Sequence, residues 1–221
     1  MAGKVQKHIL NASTSNGLES MSWQADIVLA SASPRRRELL AQLGIACRIR
    51  PVDVDESWRQ KETAPSYVSR LARDKAVAAW SRLPANEHLP VLGADTCVTL
   101  DGRIYGKPAD EEEARDMLAE LSGCTHEVLT AVCLVSDNME ETIVSRSFVT
   151  LRTLNTAEIT AYTATGEPLD KAGAYAIQGM GAVFVAHLDG SYSGVMGLPL
   201  YETAALLGAA GIAVPPSLEH T

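Results

Sequence analysis

The chain contains no apolar run approaching the ~18 to 20 residues that would span a bilayer. Nor does it carry an excess of positive charge: 19 Lys and Arg stand against 27 Asp and Glu, a formal net charge of -8. Nucleic acids and anionic membrane surfaces attract basic proteins at long range, so neither is an expected partner, and any anion site must be a local basic pocket. Cysteine is sparse and scattered. Cys47, Cys97, Cys124 and Cys133 form no C-x-x-C pair and have no histidine at ligand spacing, which argues against a zinc cluster and for free buried thiols in a reducing cytoplasm. His8, His88, His126, His187 and His220 show no catalytic spacing, and no Cys or Ser-His arrangement marks a covalent nucleophile. Asn11-Ala12-Ser13 matches a glycosylation acceptor, but without a signal peptide the match is read as chance.

What is present is enough for a normal core, since a chain of 221 residues can bury about 70% of its unfolded surface. Residues 1–22 are polar and mixed and are expected to be a disordered extension. Residues 23–211 are expected to form a single domain, and 212–221, with Pro215-Pro216, a loose tail. The organising stretch is Ile27 to Leu40. Ile27-Val28-Leu29-Ala30 reads as a buried strand, Ser33 as an N-cap, Pro34 as the first helical residue, and Leu39, Leu40 and Leu43 as one apolar face ending at Gly44. Arg35, Arg36 and Arg37 are misplaced for a structural helix, because its first turn already carries about half a positive charge. Either they splay into water, or a polyanion sits over the helix start and Ser33 to Arg36 bind phosphate.

Two further stretches carry charge in apolar surroundings. Pro90 to Leu100 reads as a strand closed by the Asp101-Gly102 hairpin turn, with Asp95 inside it; a carboxylate there must be paired, satisfied by backbone, or in use. The partner strand delivers Gly106-Lys107-Pro108, with Lys107 able to return towards Asp95. Thr63-Ala64-Pro65 opens a helix running to about Leu83, whose stripe Val68, Leu71, Ala72 and Ala79 is interrupted by Lys75. That lysine either snorkels from the core edge or emerges into a cleft and meets a phosphate. Asp53, Asp55 and Glu56 follow a second strand, Cys47 to Pro51, as solvated loop charges or as ligands for a hard cation. Asp110 to Gly123 reads as a structural helix, Thr125 to Val135 and Thr142 to Leu151 as an antiparallel pair, and Asn155 with Glu158 as a helix cap. Gln178 stands in a segment rich in glycine, followed by an expected hairpin from Val183 to Val195 turning at Asp189-Gly190. Leu200 to Leu207 reads as a closing helix.

Ser31-Ala32-Ser33-Pro34-Arg35-Arg36, Gly93-Ala94-Asp95-Thr96, Gly106-Lys107-Pro108 and Asp170-Lys171-Ala172-Gly173-Ala174-Tyr175 together resemble the Maf family of nucleoside triphosphate pyrophosphatases, in one order from about Ile27 to Leu207. The resemblance implies an α/β (α+β) fold: a mixed twisted sheet with flanking helices and two lobes around a substrate cleft. It implies a nucleoside triphosphate substrate, a divalent cofactor (Mg2+ or Mn2+) held by Glu56 and Asp95, and Asp95 as general base. Substrate would be bound by Ser33, Arg35, Arg36, Lys75, Thr96, Lys107 and Gln178. Arg at 35, Thr at 96 and Gln at 178 match the branch acting on dTTP and UTP, whereas Trp at the first of these positions accompanies action on methylated guanosine triphosphate. The alternative is a nucleotide-binding regulator of cell division and septum formation with little turnover. Homodimerisation is left open.

Overall fold

A computed structural model describes residues 25–214 except 85 and 88. The readings of the N-terminal extension, of Asn11, His8, His88 and His220, and of Pro215-Pro216 lie outside the described residues. Ile212 and Val214, placed by the sequence reading in the tail, pack partly buried against the core.

Seven strands form one mixed sheet. β1 (Ile27–Leu29) lies parallel to β2 (Cys47–Ile49) on one side and to β3 (Val91–Leu100) on the other. From β3 onward the pairing is antiparallel, through β5 (Thr125–Ser136), β6 (Met139–Leu151) and β7 (Val185–Asp189). β4 (Arg103–Tyr105) folds back on β3. Its turn puts both Asp101 and Gly102 at positive φ, 51° and 82°, the geometry that an Asp-Gly hairpin requires.

This pairing leaves a gap. One edge of β3 is matched to β5 from Val91 to Thr99. The other edge is taken by β1 only as far as Leu92 and by β4 only from Val98, so residues 93–97 have no strand partner on that edge. Buried backbone groups need partners, and the functional side chains gather there.

Helices cover both faces. α2 (Ala64–Trp80), capped by Thr63 accepting from the Ser66 N–H, lays Val68, Ala72, Ala76 and Ala79 on the face made by Val28, Val91, Cys97 and Ala131. α1 (Pro34–Gln42) and α6 (Leu200–Ala209) cover Ile27, Leu29, Leu92 and Val132 on the opposite face. A separate cluster at the far end joins Val98, Val128 and Val149 to α3 (Glu111–Leu121) and α4 (Thr156–Thr163). The cleft takes its walls from both halves. α4 begins with the reciprocal cap foreseen between Asn155 and Glu158.

Two expectations are corrected. Val183 to Val195 is not a hairpin: residues Met180–Phe184 form a 3-10 turn, β7 follows, and the chain then leaves the sheet into α5 (Tyr192–Met196). Gly190, at φ 119°, makes the turn, and Ser191 diverts the chain by capping Gly194 with its hydroxyl while its own N–H goes to Ser147 Oγ. Ser33 occupies the N-cap of α1 with extended backbone, but its hydroxyl makes no capping bond. The Ser33 N–H instead donates to Ser31 Oγ at 3.2 Å.

Candidate active site

One cleft of about 710 Å³ is lined by Ser33, Arg35, Arg36, Asp53, Glu56, Lys75, Asp95, Thr96, Lys107 and Gln178, whereas Asp55 lies outside it with its carboxylate accepting from the Ser57 N–H and hydroxyl. Its centre is a triad of charges. Lys75 Nζ lies 2.6 Å from Glu56 Oε1 and 2.7 Å from Asp95 Oδ1. Asp95 is 8% exposed, and burial pushes its carboxyl above the ordinary value against the attraction of Lys75 and Arg36. For Glu56 burial acts in the same direction but is outweighed by the hydrogen bond and charge of Lys75, with Lys107 and Arg36 adding to the effect, so its carboxyl sits lower than usual. One ammonium thus stands between a carboxylate held ionised and one made more basic, and such a division suits a general base beside a charge carrier.

The sequence places that ammonium through a glycine. On β3, residues 91, 93, 95 and 97 face α2, because side chains alternate along a strand. A Cβ at Gly93 would lie 2.1 Å from the Ala72 carbonyl and 2.8 Å from the Ala76 N–H nitrogen. The helix therefore rests on bare backbone. Lys75, between those two contacts, comes close enough to reach Asp95 two residues further along the strand.

Arg36 behaves differently from the expectation of a phosphate ligand. Its Nε donates to the Gly197 carbonyl (2.8 Å), its Nη1 to the Ala94 carbonyl (2.9 Å) and Ser31 Oγ (3.1 Å), and its Nη2 to Thr96 Oγ1 (3.3 Å). Four of five N–H donors are spent within the protein. The Ala30 N–H bonds the Leu92 carbonyl, and Arg36 takes the Ala94 carbonyl two residues on, so the guanidinium continues the hydrogen bonding that β1 abandons. Its acceptors are neutral carbonyls and hydroxyls, so Arg36 gives the cleft a fixed positive charge rather than a free fork. Thr96, expected beside the base, projects from the opposite face of β3. Thr130 Oγ1 donates to the Gly194 carbonyl at 2.7 Å, so the Thr96 hydroxyl must be the donor in its 2.9 Å contact with Thr130. This chain of bonds ties α1 to α5 through the sheet.

Arg35 Nη1 reaches Asp170 Oδ2 at 3.6 Å, and Asp170 is also paired with Lys171. Arg37 is exposed and does not line the cleft, so the arginine corner supplies two cations rather than three. Lys107 lies at the mouth, and its charge is felt by Glu56. Lys171, with a side chain only 13% exposed, lines the cleft; it stands in the Asp170 to Tyr175 motif quoted above but is not among the expected substrate-binding residues. His126 has no catalytic role in the sequence reading. It is 1% exposed and meets the Tyr175 hydroxyl through Nε2 at 2.8 Å, while burial pushes its pKa down to about 4, so it is a neutral prop behind a wall residue of the cleft.

A family model described as Maf-like protein matches residues 26–210. The chain belongs to the Maf family. It is 53% identical over 189 residues to a dTTP/UTP pyrophosphatase of Methylobacillus flagellatus, covering 86% of this chain and 94% of that protein. Proteins of the same name from Bordetella avium (53% over 195 residues, 86% and 97%) and Myxococcus xanthus (54% over 192 residues, 87% and 96%) are equally similar. The four motifs quoted above for the Maf resemblance all fall within the matched span.

Among the described residues no three His, Cys, Asp or Glu side chains cluster to hold a metal on their own. Asp95 and Glu56 do converge on one cationic point. That donor set fits Mg2+ or Mn2+, hard cations that are commonly held by one or two carboxylates together with substrate phosphates. No helix among the described residues is long and apolar enough to cross a membrane.

Proposed function

We propose that this Maf protein hydrolyses nucleoside triphosphates, dTTP and UTP before others, to the nucleoside monophosphate and pyrophosphate. The observation that carries the reading is the Lys75 ammonium held between Glu56 and Asp95, in a cleft that also collects Arg35, Arg36, Lys107 and Lys171. In an acidic protein, so many cations in one cavity fit a polyphosphate ligand. The similarity to three dTTP/UTP pyrophosphatases supports the base preference.

Asp95 takes a proton from a water that attacks the α-phosphorus. The bond from that phosphorus to the bridging oxygen breaks, and pyrophosphate leaves with the electron pair. Lys75, Arg35 and Lys107 bind the phosphate oxygens, while the fixed charge of Arg36 favours the developing negative charge. Asp95 and Glu56 would hold the divalent cation, which would neutralise phosphate charge and help align the leaving group. Gln178 offers a donor and an acceptor to a pyrimidine edge. Action on cytoplasmic nucleotide pools belongs to this reading and agrees with four free cysteines.

The test is a panel of dTTP, UTP, dATP, dGTP, GTP and 7-methyl-GTP with Mg2+ or Mn2+, read as pyrophosphate release. Metal-dependent release with the highest catalytic efficiency on dTTP and UTP is expected. A preference for 7-methyl-GTP would overturn the base assignment alone. Tight binding without release would overturn the hydrolase and favour the regulator of cell division.

A further inference from the structure

Gln178 is an exposed residue in a segment with no helix or strand of its own, between buried Gly173 to Ile177 and buried Gly181. A side chain that distinguishes bases needs a fixed backbone, and loops lose that definition unless their polar groups are tied down. The ties come from outside the cleft. Glu167, in the turn Glu167–Asp170, accepts the Met180 N–H on Oε2 at 3.0 Å and the Gly181 N–H on Oε1 at 3.1 Å. The same Oε1 accepts the Tyr162 hydroxyl proton at 2.8 Å. Tyr162 Oη in turn accepts the Ala176 N–H at 3.1 Å. Two side chains therefore grip the backbone on both flanks of Gln178.

The fit is close enough to dictate the neighbouring residues. A Cβ at Gly179 would lie 2.5 Å from the Glu167 carboxylate, and one at Gly181 would lie 2.6 Å from Tyr162 Oη. The glycines around Gln178 thus admit the anchor. Tyr162 is itself held edge-on against Phe184, centroids 5.0 Å apart. Burial would raise the Glu167 carboxyl, but the two backbone N–H bonds and the Tyr162 hydroxyl hold it below its usual value, so it acts as an ionised acceptor.

We propose that Glu167 and Tyr162 are positioning residues for base discrimination, acting through the Gln178 loop without touching substrate. The proposal rests on the nucleotide-hydrolysing reading above and adds residues to it. In Glu167→Gln the carboxamide must turn one N–H towards the backbone donors, and in Tyr162→Phe the Ala176 N–H loses its acceptor.

The experiment compares catalytic efficiency on dTTP and UTP with that on dGTP for wild type, Glu167→Gln, Tyr162→Phe, Gln178→Ala and Glu167→Gln combined with Gln178→Ala. Losing one such bond is expected to lower the ratio of dTTP to dGTP efficiency about tenfold in Glu167→Gln, through KM for the pyrimidine substrates with kcat retained. Tyr162→Phe is expected to lower it in the same direction. The double variant should match Gln178→Ala, because the anchor has nothing left to position. A merely structural role would lower all substrates in proportion and leave the ratio unchanged, which overturns the proposal. An unchanged ratio in Gln178→Ala also overturns it, while pyrophosphate release from wild type on the same day judges the hydrolase reading separately.

Discussion

Asp95→Asn is expected to lower turnover of dTTP by about two orders of magnitude or more while the protein stays folded and binds nucleotide. The amide keeps the shape of the carboxylate and fills the same pocket beside α2, but it has no lone pair basic enough to take a proton from water. Lys75 keeps its second partner, Glu56 Oε1 at 2.6 Å, so the ammonium is not left alone in the cleft. Asp95 has only 8% of its surface exposed and its carboxyl is made more basic by that burial, features that cost stability and are retained only if the group works. The measurement is kcat by pyrophosphate release, with circular dichroism and nucleotide titration on the same sample. Near-normal turnover would remove Asp95 from the mechanism.

Gly93→Ala is expected to destabilise the protein by about 3 kcal/mol and to abolish most of the activity that remains in the folded fraction. Inserting a methyl group into a packed interface costs about 1 to 3 kcal/mol when neighbours can yield. Here the obstacles at 2.1 and 2.8 Å are backbone atoms of Ala72 and Ala76, which move only if the whole of α2 moves. Such a shift carries Lys75 away from Asp95. The comparison is Gly106→Ala, where a Cβ meets nothing within 4 Å and stability should change by less than about 0.5 kcal/mol. Denaturant unfolding of both variants distinguishes them; equal stability would show that α2 does not rest on Gly93.

Local signals made much of this fold readable. The strand and helix around Pro34, the Asp-Gly hairpin and the Asn155 cap each depend on residues within a few positions of one another, and the long antiparallel pair shows as two β-rich runs meeting at one short turn. Lys75 and Asp95 were legible because each breaks an apolar pattern, and only a cleft or a partner explains such a break. What escaped depends on contacts between distant parts of the chain. Arg36 looks in sequence like a free cation, and only the 161-residue separation to Gly197 reveals that its donors are taken. The false hairpin after Val183 arose because Asp189-Gly190 is a turn signal in either direction, and the Ser191 hydroxyl decides for a helix. Glu167 carries no mark at all, since an exposed-looking acid after glycine gives no sign of three donors arriving from residues 162, 180 and 181.

Hydrolysis of dTTP in water enriched in oxygen-18, with both products analysed by mass spectrometry, tests most directly whether this cleft directs water to the α-phosphorus. The mechanism proposed for Asp95, a water attacking the α-phosphorus, predicts one labelled oxygen in the nucleoside monophosphate and none in pyrophosphate. Label in pyrophosphate, or products of nucleoside diphosphate and phosphate, would contradict it.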